Sequence, residues 1–244
     1  MVCRIGRRRV RIGLTSESTA SASGEERGEN AMKIMLIGSS GMIGSRIMNE
    51  ALSRGHKVTS LVRDTTKTGE YKTNLEYVVG DIFNAESLAD AAVDHDAVIS
   101  AYGPGTGDAS LIVKAAHSIV EGLTRVEPIR LIDINGAGSL EVSPGLQLVD
   151  APGFPEQWKG LALAHRDALE VFRKAGFAGF DWTAVSPSAI IEPGNRTGHF
   201  RLGTEELLKD EKGDSRISAE DFAMAILDEI EKPKHKQQRF TVGY

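Results

Sequence analysis

Three glycines, Gly38, Gly41 and Gly44, stand at a GxxGxxG spacing in IGSSGMIGSR, directly after the apolar run KIMLI. A strand that enters a tight glycine turn and opens a helix can hold the pyrophosphate of a dinucleotide. In this reading Gly38 permits the turn, Gly41 lets the backbone approach the phosphates, and Gly44 lets helix and strand pack closely. Free N–H groups and the partial positive charge of the helix N-terminus then face the anion. The familiar spacing is GxGxxG, so this variant carries weight through its context, a strand before and a helix after.

The end of the second strand decides which dinucleotide fits. It reads LVRD, with Arg63 at the strand end and Asp64 after it. A guanidinium there can fork onto a 2′-phosphate, which favours NADP over NAD, and Arg46 in the first helical turn is placed to face the same group. The alternative has Arg63 solvate the strand end while Asp64 holds the ribose hydroxyl, as an NAD site requires. Asp81 and Ile82 in VVGDI are expected to edge and cover an adenine. The small residues of SAYGPG let a cofactor lie close to the fourth strand.

Positioning these residues takes a sheet. From Met32 onward, short β-branched runs alternate with longer helical patterns, the signature of a doubly wound parallel sheet in one α/β domain. Strands are expected at KIMLIG, HKVTSLVR, LEYVVGD, DAVISAYG, IRLIDING, DWTAVSP and QRFTVG. Ser218 and Asp221 make a capping-box-like start for the helix AEDFAMAILDEIE. Residues 135–157 and 192–217 read as irregular loops beyond the carboxyl ends of late strands, the edge where such sheets bind ligands. They are expected to form the substrate side.

Composition narrows the function further. The 244 residues carry a formal charge of -5, with no basic face for nucleic acid. No apolar run approaches the roughly 20 residues needed to span a bilayer, so a cytoplasmic protein is expected. The only cysteine is Cys3, which excludes a disulfide framework or a thiolate nucleophile in the core. The histidines show no metal-ligand spacing, so no metal is expected. Residues 1–31, with six Arg against four Glu, read as an extension upstream of a true start at Met32. A small-molecule substrate and a monomer or homodimer complete the expectation.

IGSSGMIGSR, LVRD, VVGDI, INGAGSLEV, DWTAVSPSAI and RISAEDFAMAILDEIEKP…RFTVGY together resemble the atypical short-chain dehydrogenase/reductase group. The nearest members are NAD(P)H-binding proteins assigned as NADH-flavin reductases; biliverdin-IXβ/flavin reductase and NmrA-like proteins are more distantly similar. The resemblance spans the chain from Met32 to Tyr244 and implies a Rossmann-like fold. It implies cofactor contacts at Gly38, Ser40, Gly41, Met42, Ile43, Arg63, Asp81, Ile82, Ala101, Tyr102 and Gly103. It also implies that Ser186 and Pro187 lie near the nicotinamide.

The departures from that group shape the chemistry. Its standard members use Ser, Tyr and Lys, the last two as YxxxK on the long helix. Here that helix reads WKGLALAHRDALE, which places Leu161 at the Tyr position and His165 at the Lys position. Ser139 is expected to keep the serine position, and Tyr102 is the one tyrosine near the site; these two are the candidate catalytic residues. His165 reads more simply as a packing residue, and Trp158 as one that packs or lines a flavin pocket. Reducing a ketone needs a proton on the developing alkoxide. Reducing a flavin needs mainly hydride delivery between two stacked rings. The expectation is therefore an NAD(P)H-dependent reductase with a flavin or similar conjugated acceptor as substrate. A non-catalytic NADP sensor of NmrA-like type is the alternative.

Overall fold

A computed structural model describes residues 31–64, 66, 72–105, 107–126, 128–176 and 180–244; the expected extension falls almost wholly outside them. The chain runs β1 (Lys33–Ile37), α1 (Met42–Ser53), β2 (Lys57–Val62), β3 (Leu75–Val79), α2 (Ala85–Ala92) and β4 (Ala97–Ser100). It continues through α3 (Ser110–Leu123), β5 (Arg130–Ile134), β6 (Glu141–Ser143), β7 (Leu146–Gln147), α4 (Glu156–Ala175) and β8 (Asp181–Pro187). The last elements are β9 (Ile190–Glu192), β10 (Arg201–Gly203), β11 (Arg216–Ser218), α5 (Ala219–Glu231) and β12 (Gln238–Gly243).

The main sheet has eight strands in the order β10-β12-β8-β5-β4-β1-β2-β3, parallel except for β10. Its central strands are apolar on both faces, as strands covered by helices on both sides must be. In β1, Met35 and Ile37 join a core with Leu88, Ile119 and Phe172 under α2, α3 and α4. Ile34 and Leu36 point the other way, to Ile47 and Phe222 under α1 and α5. β1 pairs with both β2 and β4. The chain therefore leaves β1 in one direction across the sheet and returns to β4 in the other, which opens a crevice at the carboxyl ends.

Two helix signals are realised as read. Gly55, at φ 82, stands just past α1 in the left-handed conformation that suits glycine. Ser218 Oγ accepts the Asp221 N–H at 3.0 Å at the start of α5. The carboxylate of Asp221 does not reach back to complete a box. It accepts instead from Thr197 N–H and Gly198 N–H and from the hydroxyls of Thr197 and Tyr244, which fixes the segment after β9.

The two stretches read as irregular are partly ordered by short pairings. The first holds the β6–β7 hairpin, and in the second β10 extends the main sheet while β11 pairs with β9. Glu141 N–H donates to Glu205 O and Leu207 N–H to Glu141 O, both at 2.8 Å, which stitches the stretches together. Strands of two or three residues are too short to show a period-2 pattern, so nothing in the sequence marks them.

Candidate functional site

The glycine turn lies at the crevice. Gly38 has φ 82, and a Cβ on it would come within 2.4 Å of Ala101 O. A Cβ on Gly44 would fall 2.0 Å from Gly38 O, so the start of α1 rests directly on the turn. Gly41 is the N-cap residue, and no side chain caps the helix there. Ser40, Gly41 and Met42 are exposed and Ile43 is half-buried. The first N–H groups of α1 thus remain available to an anion, with no Cβ at Gly41 to hold it off. This cradle fits a dinucleotide pyrophosphate.

At the end of β2, Arg63 is exposed and carries no ion pair among the described residues. Asp64 is engaged by Thr66, whose N–H and hydroxyl donate to its carboxylate at 2.9 and 2.6 Å. Arg46 does not join Arg63. Its Nε donates to Glu220 at 3.1 Å and its Nη1 to Met42 O, so it ties α1 to α5.

Past β3, Asp81 is exposed and its carboxylate accepts the Phe83 N–H at 2.9 Å. Ile82 corrects the expectation of an adenine cover: it is 5% exposed and packs in the core beneath α2 and α3. The turn needs an apolar anchor there, which leaves Val79 as the exposed apolar side chain at that edge.

Ala101, Tyr102 and Gly103 follow β4, with Ala101 N–H bonded to Ile37 O at 3.0 Å. The Tyr102 ring meets Phe83 edge-on at 5.7 Å. Burial raises its phenol above the ordinary value, and the Arg63 charge pulls partly against that.

Ser139 lies elsewhere and is 2% exposed. Its hydroxyl accepts from Arg239 Nη1 at 2.6 Å, and Arg239 also donates to Ser139 O and to Glu205. Among the described residues no hydrogen bond joins Ser139 to Tyr102. A long-range arginine claims the serine and uses it to pin the loop after β5. Ser186 and Pro187 end β8 beside that loop, both buried, with Ser186 Oγ donating to Gly136 O at 3.0 Å. They form floor, with no side chain extended toward the groove.

Asp133 in β5, which the sequence reading passed over, shares a space with Ser100 of β4, with Tyr102 and with His165, read there as a packing residue. Asp133 is 9% exposed, and burial pushes its carboxyl up to about 7 against the pull of hydrogen bonds from Ser100 and Asn135. His165 on α4 is driven down to about 4 by burial alone. Its ring packs against Gly136, where a Cβ would come within 3.2 Å. Ser100, Tyr102, Asp133 and His165 share a cavity of about 10 Å³, room for one water. The available signal was the acid inside IRLIDIN, a carboxylate in an otherwise apolar central strand. Trp158, on the first turn of α4, is 55% exposed. Among the described residues no helix is long and apolar enough to cross a membrane.

Comparison with known proteins agrees with this geometry. An NAD(P)H-binding family model matches residues 38–233. Protein YwnB of Bacillus subtilis is 37% identical over 214 residues, covering 86% of this chain and 98% of its own length. A solved "putative exported protein" of Burkholderia pseudomallei is 46% identical with a TM-score of 0.79, over 87% of this chain and all of its own. SP1627 of Streptococcus pneumoniae, described as a "putative NADH-flavin reductase", is 34% identical with a TM-score of 0.77, over 87% and 99%. With its glycine cradle, switch-point crevice and Rossmann-like sheet, the chain belongs to the NAD(P)H-binding family.

Proposed function

We propose that the protein is an NADPH-dependent reductase that passes hydride to a flavin or a similarly conjugated small molecule. The observation that carries this reading is the face of α4 beside the end of β5. It carries Leu161 and His165, the positions that the resemblance matches to the group's tyrosine and lysine, and α4 contains no tyrosine. A ketone would leave an alkoxide with no phenol to protonate it. A conjugated ring spreads the arriving charge, so the hydride step needs no strong acid and a weaker donor can deliver the proton afterwards. Trp158 supports such an acceptor, because an exposed indole on the first turn of α4, one turn before Leu161, can stack on a flat ring. The flavin reductase description of SP1627 points the same way.

The preference for NADPH rests on Arg63, exposed at the end of β2 while Asp64 is occupied by Thr66. Bound NADPH supplies the hydride. The turn from Gly38 to Ile43 holds its pyrophosphate, Arg63 its 2′-phosphate, and the buried ends of β5 and β8 support the ring. The working protein is a monomer or homodimer of the cytoplasm, where NADPH is abundant.

The test is NADPH oxidation, followed by its absorbance, with FMN, FAD, a quinone and a simple ketone offered in turn. Turnover with a flavin or quinone and none with the ketone is expected. Tight NADPH binding without turnover of any acceptor would overturn the enzyme reading in favour of a cofactor sensor.

A further inference from the structure

Asp133 stands where a charge is poorly tolerated. It pairs in register with Ser100 of β4 and with Ala184 of β8. Around the cavity, α3 presents only Ile112, Ala115, Ala116 and Ile119, while α4 presents His165 and Ala168. Among the described residues, the titratable groups that share this space with Asp133 are His165 and Tyr102, and no lysine, arginine or second carboxylate lines it. His165 Nδ1 is closed off from solvent without a hydrogen-bond partner, although the residue as a whole keeps partial exposure. The imidazole packs against Gly136, at the root of the loop expected to form the substrate side.

We propose that one water in this cavity joins Asp133 to His165, and that the two residues pass a proton from the sheet interior to the reduced acceptor. The proposal rests on the hydride-transfer reading above. A C–H bond of the dihydronicotinamide breaks and its hydride forms a new bond on the acceptor, which is reduced by two electrons while the cofactor is oxidised. The acceptor anion then takes the Nε2 proton of His165. Nδ1 takes a proton from the water as the water takes the Asp133 proton, so His165 changes tautomer without holding a charge. The Asp133 carboxylate left behind offsets the nicotinamide cation, and solvent returns its proton once the oxidised cofactor departs.

Three measurements on the full chain test this. Binding of NADP⁺, and not of NADPH, should release up to one proton in weakly buffered solution near about pH 6.5, where Asp133 is still protonated. Asp133→Asn should abolish that release. The infrared spectrum of the wild-type protein below about pH 6 should contain a protonated-carboxyl band that shifts with ¹³C-labelled aspartate, a readout that needs no variant. With the accepted substrate, Asp133→Asn and His165→Gln should lower kcat about a hundredfold with NADPH affinity little changed. Absence of the aspartate band, or equal proton release by wild type and Asp133→Asn, would overturn the proposal. So would unchanged kcat in both variants. If the wild type binds NADPH but reduces nothing, the functional reading fails, and proton release still reports on the cavity.

Discussion

The cavity makes a prediction that needs no substrate. In the folded protein Asp133 keeps its proton up to about pH 7, and His165 has lost its own by about pH 4. The ordinary values are 3.8 and 6.5, so in between the unfolded chain carries a protonated histidine and an ionised aspartate. The pair binds one proton in either state, and its contribution to stability is flat across that window. Each half alone is steep. For Asp133 the folded state binds more protons than the unfolded, so stability falls as pH rises from 3.8 to about 7. For His165 the folded state binds fewer, so stability rises between about pH 4 and 6.5. At about 1.4 kcal/mol per pH unit, each slope amounts to about 3 kcal/mol over the shared window. Asp133→Asn removes one slope and exposes the other: its stability relative to wild type should climb by about 3 kcal/mol from about pH 4 to 6.5. His165→Gln should show the mirror image, falling by the same amount. Urea unfolding at several pH values, read as variant minus wild type, isolates the effect from every other titrating group. A difference that stays level with pH in both variants would refute the assignment of protonation states, whatever the variants do to overall stability.

Other expectations follow from single contacts. Arg63→Asp should weaken NADPH about ten- to a hundredfold while sparing NADH, the worth of one charge-assisted bond; unchanged selectivity in a fluorescence titration would move the 2′-phosphate elsewhere. Gly44→Ala must place a Cβ where the carbonyl of Gly38 already stands, 2.0 Å away. Thermal unfolding should register a loss of about 1–3 kcal/mol, and cofactor affinity should drop with it because the cradle itself must shift. Asp221→Ala leaves the N–H groups of Thr197 and Gly198 without their acceptor, while the Tyr244 hydroxyl keeps Ser218 Oγ. A cost of about 3 kcal/mol is expected, with faster amide exchange confined to the segment around Thr197.

The sequence by itself determined the scaffold and the glycine turn at its crevice. KIMLI, IGSSGMIGSR and LVRD state their roles locally: an apolar run buried on both faces, glycines at close backbone approaches, a cation at a strand end. Caps such as Ser218 and stops such as Gly55 are likewise decided by neighbours within a turn. Tertiary structure decided the rest. Ser139 reads as a catalytic serine until Arg239, 100 positions later, takes its hydroxyl. Arg46 reads as a phosphate ligand until Glu220 takes its guanidinium, and Ile82 reads as a lid until the core takes its side chain. The protonation of Asp133 is the extreme case. A carboxyl in an apolar strand can be spotted in the sequence. Its proton is held by α3 and α4 packing over the strand and excluding water, and such burial is a property of distant elements meeting in space.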